Sequence, residues 1–215
     1  MTKKRFLHTL EQILSHFDDD SEVKKSVELL QNKIAEKDDW EEDMGSITSL
    51  EVPKEIAGKS GYFAVFSDGA CRGNPGPGAW GAVGQDYEGQ VIFESSGVDV
   101  PTTNNRMEME GAIQAMNSIL FHAEERGETI EKLILFSDSK YVVDGLKSWI
   151  HGWKRRGWKK ADKKVPENVE LWQQLDQLVS KFKNIEYQWV KGHAGHPQNE
   201  RCDQLANEAL DDAGF

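Results

Sequence analysis

Twice in this chain a short run of apolar residues leads directly into Ser-Asp. The first is Tyr62-Phe63-Ala64-Val65-Phe66 before Ser67-Asp68, and the second spans residues 130–136 before Ser137-Asp138. Runs of this kind, apolar without alternation, suit strands buried on both faces of a sheet. Between them, Met109, Ala112, Ile113, Met116, Ile119, Leu120 and Ala123 recur at helical spacing. A strand-helix-strand order favours parallel neighbours in one sheet. The chain is therefore expected to set two parallel strands side by side, each delivering a carboxylate at its end.

The remaining elements fill in around this pair. Residues 79–83 and 91–93, joined through Asp86-Tyr87-Glu88-Gly89, read as two further strands in hairpin order. The long helix begins near Thr102-Thr103-Asn104-Asn105, and Ser139 caps a short helix reaching about Leu146. Pro166 opens a helix carrying Val169, Trp172, Leu175 and Val179. Residues 185–190 form a fifth strand, followed by a Gly/His loop and a last helix with Cys202, Leu205, Ala206, Ala209 and Leu210 on its apolar side. The expected class is α/β, of a mixed α+β-like kind: a five-stranded mixed sheet flanked by helices.

Upstream the texture differs. Phe6, Leu7, Leu10, Ile13, Leu14 and Phe17, then Val23, Val27, Leu30 and Ile34, give two amphipathic helices around Asp18-Asp19-Asp20-Ser21, so residues 1–36 read as a helical hairpin. Residues 37–60, acidic and then rich in Gly, Ser and Pro, read as a flexible linker. Residues 61–215 are the main domain.

Charge narrows the partners. At −11 the chain is not built to coat nucleic acid nonspecifically, since phosphate affinity comes from Lys and Arg. The basic residues are local: eight Lys/Arg against the single acid Asp162 between Lys147 and Lys164, interleaved with Trp149, Trp153 and Trp158. Cys71 and Cys202 lack disulfide or metal-ligand spacing and read as reduced thiols. No apolar run approaches the ~20 residues that span a bilayer, and a cytoplasmic protein is expected.

Four carboxylates, Asp68, Glu108, Asp138 and Asp203, stand where elements start or stop. An acid in such a place is more often a solvated charge than a ligand. Gathered together, they would raise one another's pKa until a hard divalent cation neutralised them. Each lies within a longer pattern: Asp68-Gly69-Ala70-Cys71-Arg72-Gly73-Asn74-Pro75-Gly76-Pro77-Gly78; Thr102-Thr103-Asn104-Asn105-Arg106-Met107-Glu108; Ser137-Asp138-Ser139; and Lys191-Gly192-His193-Ala194-Gly195-His196-Pro197-Gln198-Asn199-Glu200-Arg201-Cys202-Asp203.

In identity, order and spacing these patterns resemble bacterial type I ribonuclease H, from about Gly61 onward. The resemblance implies an endonuclease that cuts the RNA strand of RNA–DNA hybrids, leaving 5′-phosphate and 3′-hydroxyl ends. It makes Asp68, Glu108, Asp138 and Asp203 ligands of two Mg²⁺ ions, with Mn²⁺ as a substitute, and His193 a loop residue that assists proton transfer or product release. His196 inherits no such role. Asn74, Thr103, Asn104, Asn105 and Arg106 become expected substrate contacts, some of them to the ribose edge that distinguishes RNA from DNA. Lys140 stands where many relatives carry Gln, and a Lys reaches phosphate but accepts no hydrogen bond. The basic segment, with Trp149, Trp153, Lys154, Arg155, Arg156, Trp158, Lys159 and Lys160, resembles the family's DNA-gripping protrusion.

Two competing readings remain at this level. A noncatalytic hybrid-binding module would have lost an acid, and a transposase or junction resolvase would not combine these motifs with a basic handle. Residues 1–60 carry nine basic against fourteen acidic residues and no aromatic hybrid-binding pattern. Two short helices cannot bury their stripes alone, so they are expected to dock on the main domain, dimerise or bind another protein.

Overall fold

The computed structural model describes Leu10, residues 21–36 and residues 49–215. It divides into two units, Met1–Ser46 and Ile47–Phe215. In the first, helix α1 (Ser21–Glu36) matches the second expected helix, with Val27 buried and Leu29 and Leu30 exposed. The first helix of the expected hairpin lies outside the described residues apart from Leu10.

The second unit is built on one sheet. Strands β1 (Tyr62–Cys71), β2 (Gly76–Asp86) and β3 (Val91–Thr102) are consecutive and antiparallel, while β4 (Lys132–Ser137) and β5 (Ile185–Trp189) extend the other side in parallel, giving the order β3-β2-β1-β4-β5. β1 lies at the centre, which accounts for its unbroken apolar run. Phe63 and Val65 face helix α2 (Asn104–Arg126) and Trp172, whereas Ala64 and Phe66 face the opposite layer with Val83, Ile134 and Cys202. Helix α6 (Pro197–Asp212) packs on β1, β2 and β3.

Several boundaries differ from the sequence expectation. β1 does not stop at Asp68: it stays paired with β2 as far as Cys71, while its parallel pairing with β4 ends at Ser67↔Ser137. Asp68 is thus where β1 loses one neighbour. β3 is longer than residues 91–93, because an edge strand tolerates the exposed Asp99 and Pro101 that mask it in the sequence. The short helix after Ser139 continues as α3 (Lys140–Asp144), one π-helical turn (Gly145–Trp149) and α4 (Ile150–Arg155). The amphipathic helix after Pro166 is α5 (Val169–Val179).

The second half of the expected linker is also different. Residues 49–59 belong to the sheet unit: Ser49 bridges Gln90, Leu50 N donates to Gly89 O at 3.2 Å, and Ile56 is fully buried.

Candidate active site

Where β1 and β4 part, Asp68 and Asp138 meet Glu108 from the first turns of α2, each offering a carboxylate oxygen within 4.8 Å of the others. Local chemistry sets α2 there. Thr103 caps it, its side chain accepting from Arg106 N at 3.4 Å. Gly69 permits the approach, since a Cβ on it would lie 2.5 Å from Glu108 N, and its own N–H donates to Asp68 Oδ1 at 2.7 Å.

Electrostatically the three acids are poised for a cation. Burial first, and then the charge of Asp138, push the Asp68 carboxyl from 3.8 to about 7. Burial, followed by the charges of Asp68 and Asp138, holds Glu108 well above its ordinary range. Glu108 Oε1 accepts from Asn104 Nδ2 at 3.3 Å, whereas its buried Oε2 has no hydrogen-bond partner among the described residues. An orphaned carboxylate oxygen in an all-oxygen donor set fits a hard divalent ion such as Mg²⁺.

Asp203 stands apart from this triad. It is half-buried on α6, accepts from Asn207 Nδ2 at 3.0 Å, and adds negative charge at Asp68. One helical turn before it, Asn199 is buried and turns its amide to the triad, with Nδ2 at 3.3 Å from Asp138 Oδ2 and 3.5 Å from Asp68 Oδ2. Sequence reasoning gave Asn199 no role. The signal lay in its spacing, since residues four apart share a helix face.

The loop before α6 reaches the triad. Val190 N donates to Ser137 O at 3.1 Å, and Trp189 Nε1 donates to Asp138 O at 2.8 Å. A Cβ on Gly192 would run into Asp138 Oδ2. His193 follows it, exposed and with φ 51°, while His196 sits exposed at the cap of α6.

The expected substrate contacts fall into two groups. Beside the triad, Asn74 Oδ1 accepts from Asn104 N at 3.3 Å, joining the Gly/Pro loop to the start of α2, and Asn105 is exposed. Arg106 Nη1 is held by Glu170 Oε1 at 2.6 Å and by Asn168 Oδ1 at 3.3 Å. Asn168, at φ 54°, is a second residue that the sequence reading missed. The Lys140 ammonium rests 4.9 Å from the centre of the Trp189 ring. In the basic segment, Trp149 is partly exposed, Trp158 half-buried and Trp153 buried against Trp172. Tyr141, Trp149, Trp153, Arg156 and Lys160 line a cavity of about 520 Å³ there. Lys154 is paired with Asp176 at 2.8 Å, whereas Arg155, Arg156 and Lys159 are exposed.

Comparison with known proteins matches the same part of the chain. The RNase H family model covers residues 60–211. The chain is 51% identical over 147 residues to a ribonuclease H of Rhizobium meliloti (68% of this chain, 89% of the relative). It is 49% identical over 156 residues to one of Escherichia coli O139:H28 (70% and 94%). Among solved structures, RNase H1 of the archaeon Halobacterium salinarum is 30% identical with a TM-score of 0.54, covering 70% of this chain and 98% of that one. LC11-RNase H1, solved in complex with RNA/DNA hybrid, is 26% identical with a TM-score of 0.56 over 70% and 98%. With the fold and the clustered acids already in place, these matches make the chain a ribonuclease H enzyme and a member of the type I ribonuclease H family.

Proposed function

We propose that this enzyme hydrolyses the RNA strand of RNA–DNA hybrids, giving 5′-phosphate and 3′-hydroxyl ends, with two Mg²⁺ ions held by Asp68, Glu108, Asp138 and Asp203. The observation that carries the reading is the buried triad of acids converging within 4.8 Å at the point where β1 and β4 separate. When bound, Mg²⁺ supplies an acidified water and charge stabilisation at the attacked phosphate.

The chain's own residues do the rest. Asn199 orients the facing oxygens of Asp68 and Asp138, and Asn104 holds one oxygen of Glu108 so that the other faces the cation. His193, on an exposed loop beside Asp138, carries a proton to or from the reacting phosphate, a task suited to an imidazole. Asn74, Asn104 and Asn105 meet the ribose side of the hybrid. Trp149 and the cations of residues 154–160 meet the DNA strand, neutralising phosphate. The N-terminal unit, acidic and with Leu29 and Leu30 exposed, is assigned one of three roles: docking on the main domain, dimerisation or binding another protein.

The test is cleavage of end-labelled hybrid, double-stranded RNA and double-stranded DNA, with Mg²⁺ or EDTA. Only the hybrid's RNA strand is expected to be cut, with both EDTA and Asp68→Asn abolishing cutting and deletion of residues 1–46 leaving hybrid affinity intact. A wild type that binds hybrid without cutting it would overturn the catalytic assignment.

A further inference from the structure

Residues 49–59 precede the family match, which begins at residue 60, yet they are built into the sheet unit. Backbone bonds fasten them at both ends, from Leu50 N to Gly89 O at 3.2 Å and from Gly58 N to Tyr87 O at 3.0 Å. Between these, Ile56 is fully buried among Phe66, Ile134, Val190 and Cys202.

Two buried glutamines join this segment to the active-site helix. Gln85 on β2 donates from Nε2 to Leu50 O at 2.7 Å and to Gly89 O at 3.0 Å. Its Oε1 accepts from Gln198 Nε2 at 3.0 Å, and the same nitrogen donates to Glu51 O at 2.5 Å. Gln198 lies in the first turn of α6 and precedes Asn199, whose amide faces Asp68 and Asp138.

We propose that residues 49–59 form a strap that, through Gln85 and Gln198, fixes the first turn of α6 and so holds Asn199 against the Asp68 and Asp138 carboxylates. Gln198 is then a positioning residue. A buried amide network with its partners in place selects one arrangement of the elements it joins. Asn199 depends on that selection, because contacts at 3.3 and 3.5 Å lie at the outer limit of hydrogen bonding and a small shift of the helix start breaks them. Strap and helix start touch through side-chain-to-carbonyl bonds, so apart from Ile56 the strap's sequence can vary while its backbone path cannot. This rests on the reading of the three acids as the cation site.

The experiment uses the full chain and four variants. Gln198→Met keeps the volume and removes the amide, Ile56→Ala loosens the strap, Val83→Ala weakens the same core layer from β2, and Asp68→Asn tests the site itself. Two experiments are run: kcat and KM on hybrid are measured well below each Tm, and thermal melts give the Mg²⁺ concentration at the midpoint of the Mg²⁺-induced rise in Tm. Gln198→Met and Ile56→Ala are expected to lower kcat by roughly 10-fold with KM nearly unchanged, and to raise the Mg²⁺ midpoint several-fold. Val83→Ala lowers Tm alone. If Gln198→Met and Ile56→Ala behave like Val83→Ala while Asp68→Asn is inactive, the strap is only structural and the proposal falls. If Asp68→Asn still cuts, the carboxylate reading falls first. Should Gln198→Met fail to fold, Ile56→Ala carries the same decision.

Discussion

At the scale of single residues, the site places function and stability in opposition. Asp68 is buried beside Asp138 and its pKa is raised to about 7 from an ordinary value of 3.8. Between those two values the folded chain keeps a proton that the unfolded chain has released, so stability without a divalent cation falls as pH rises through that window and levels off above it. Asp68→Asn removes the charge, and in EDTA at pH 8 it is expected to stabilise the protein by about 1–3 kcal/mol while abolishing cleavage. The gain should vanish toward pH 4, where wild-type Asp68 is protonated in the folded state. Urea melts of both proteins across pH 4–8 check this, and equal stability at pH 8 would contradict it. Gly192 offers a second residue-scale test. A methyl group there meets Asp138 Oδ2, so Gly192→Ala is expected to cost at least ~10-fold in kcat/KM with little change in Tm. Steady-state kinetics beside a thermal melt would show it.

At the scale of elements, what the sequence discloses follows from burial. β1 and β4 are readable because both faces of each are covered, and their Ser-Asp ends mark where two triad members emerge. Glu108 is readable because α2 opens on a polar run that caps it. β3 is mostly hidden, since an edge strand half in water carries Asp99 and Pro101 without penalty. The strap reads as linker because it works through carbonyl groups, which every residue has, and through one buried isoleucine. Asn199 escapes notice because an amide is neither acid nor base, and its role appears only when α6 is set against the sheet. The handle is readable as charge but not as contacts. Lys154 is already engaged by Asp176, whereas Lys159 is exposed. Replacing Lys159 by Ala should flatten the slope of log KM against log salt by about 0.7–0.9, and Lys154→Ala should change it less. KM measured across a salt series distinguishes the two.

At the scale of the whole molecule, the acidic chain gathers eight of its 26 Lys/Arg between Lys147 and Lys164, where phosphate is expected. Among the described residues the sheet closes on neither side. β5 is only five residues long, but β3 presents twelve residues along an open margin, with Val98 and Val100 exposed. Such a margin is a template on which a second chain can add itself. Three features oppose that addition. Glu94 is drawn inward to Arg201 on α6, Oε1 to Nε and Oε2 to Nη2 each at 2.8 Å; Asp99 and Pro101 interrupt the apolar face; and irregular register near Gly84 and Gly76 bends the ribbon. Colloidal behaviour is thus set along the outer strand, two strands from β1 in the sheet order. A chain carrying Asp99→Val should still cut hybrid when fresh and yet assemble into larger species on standing, visible as growing light scattering. The outer margin of the sheet thereby sets how concentrated this enzyme can become before it stops being a solution.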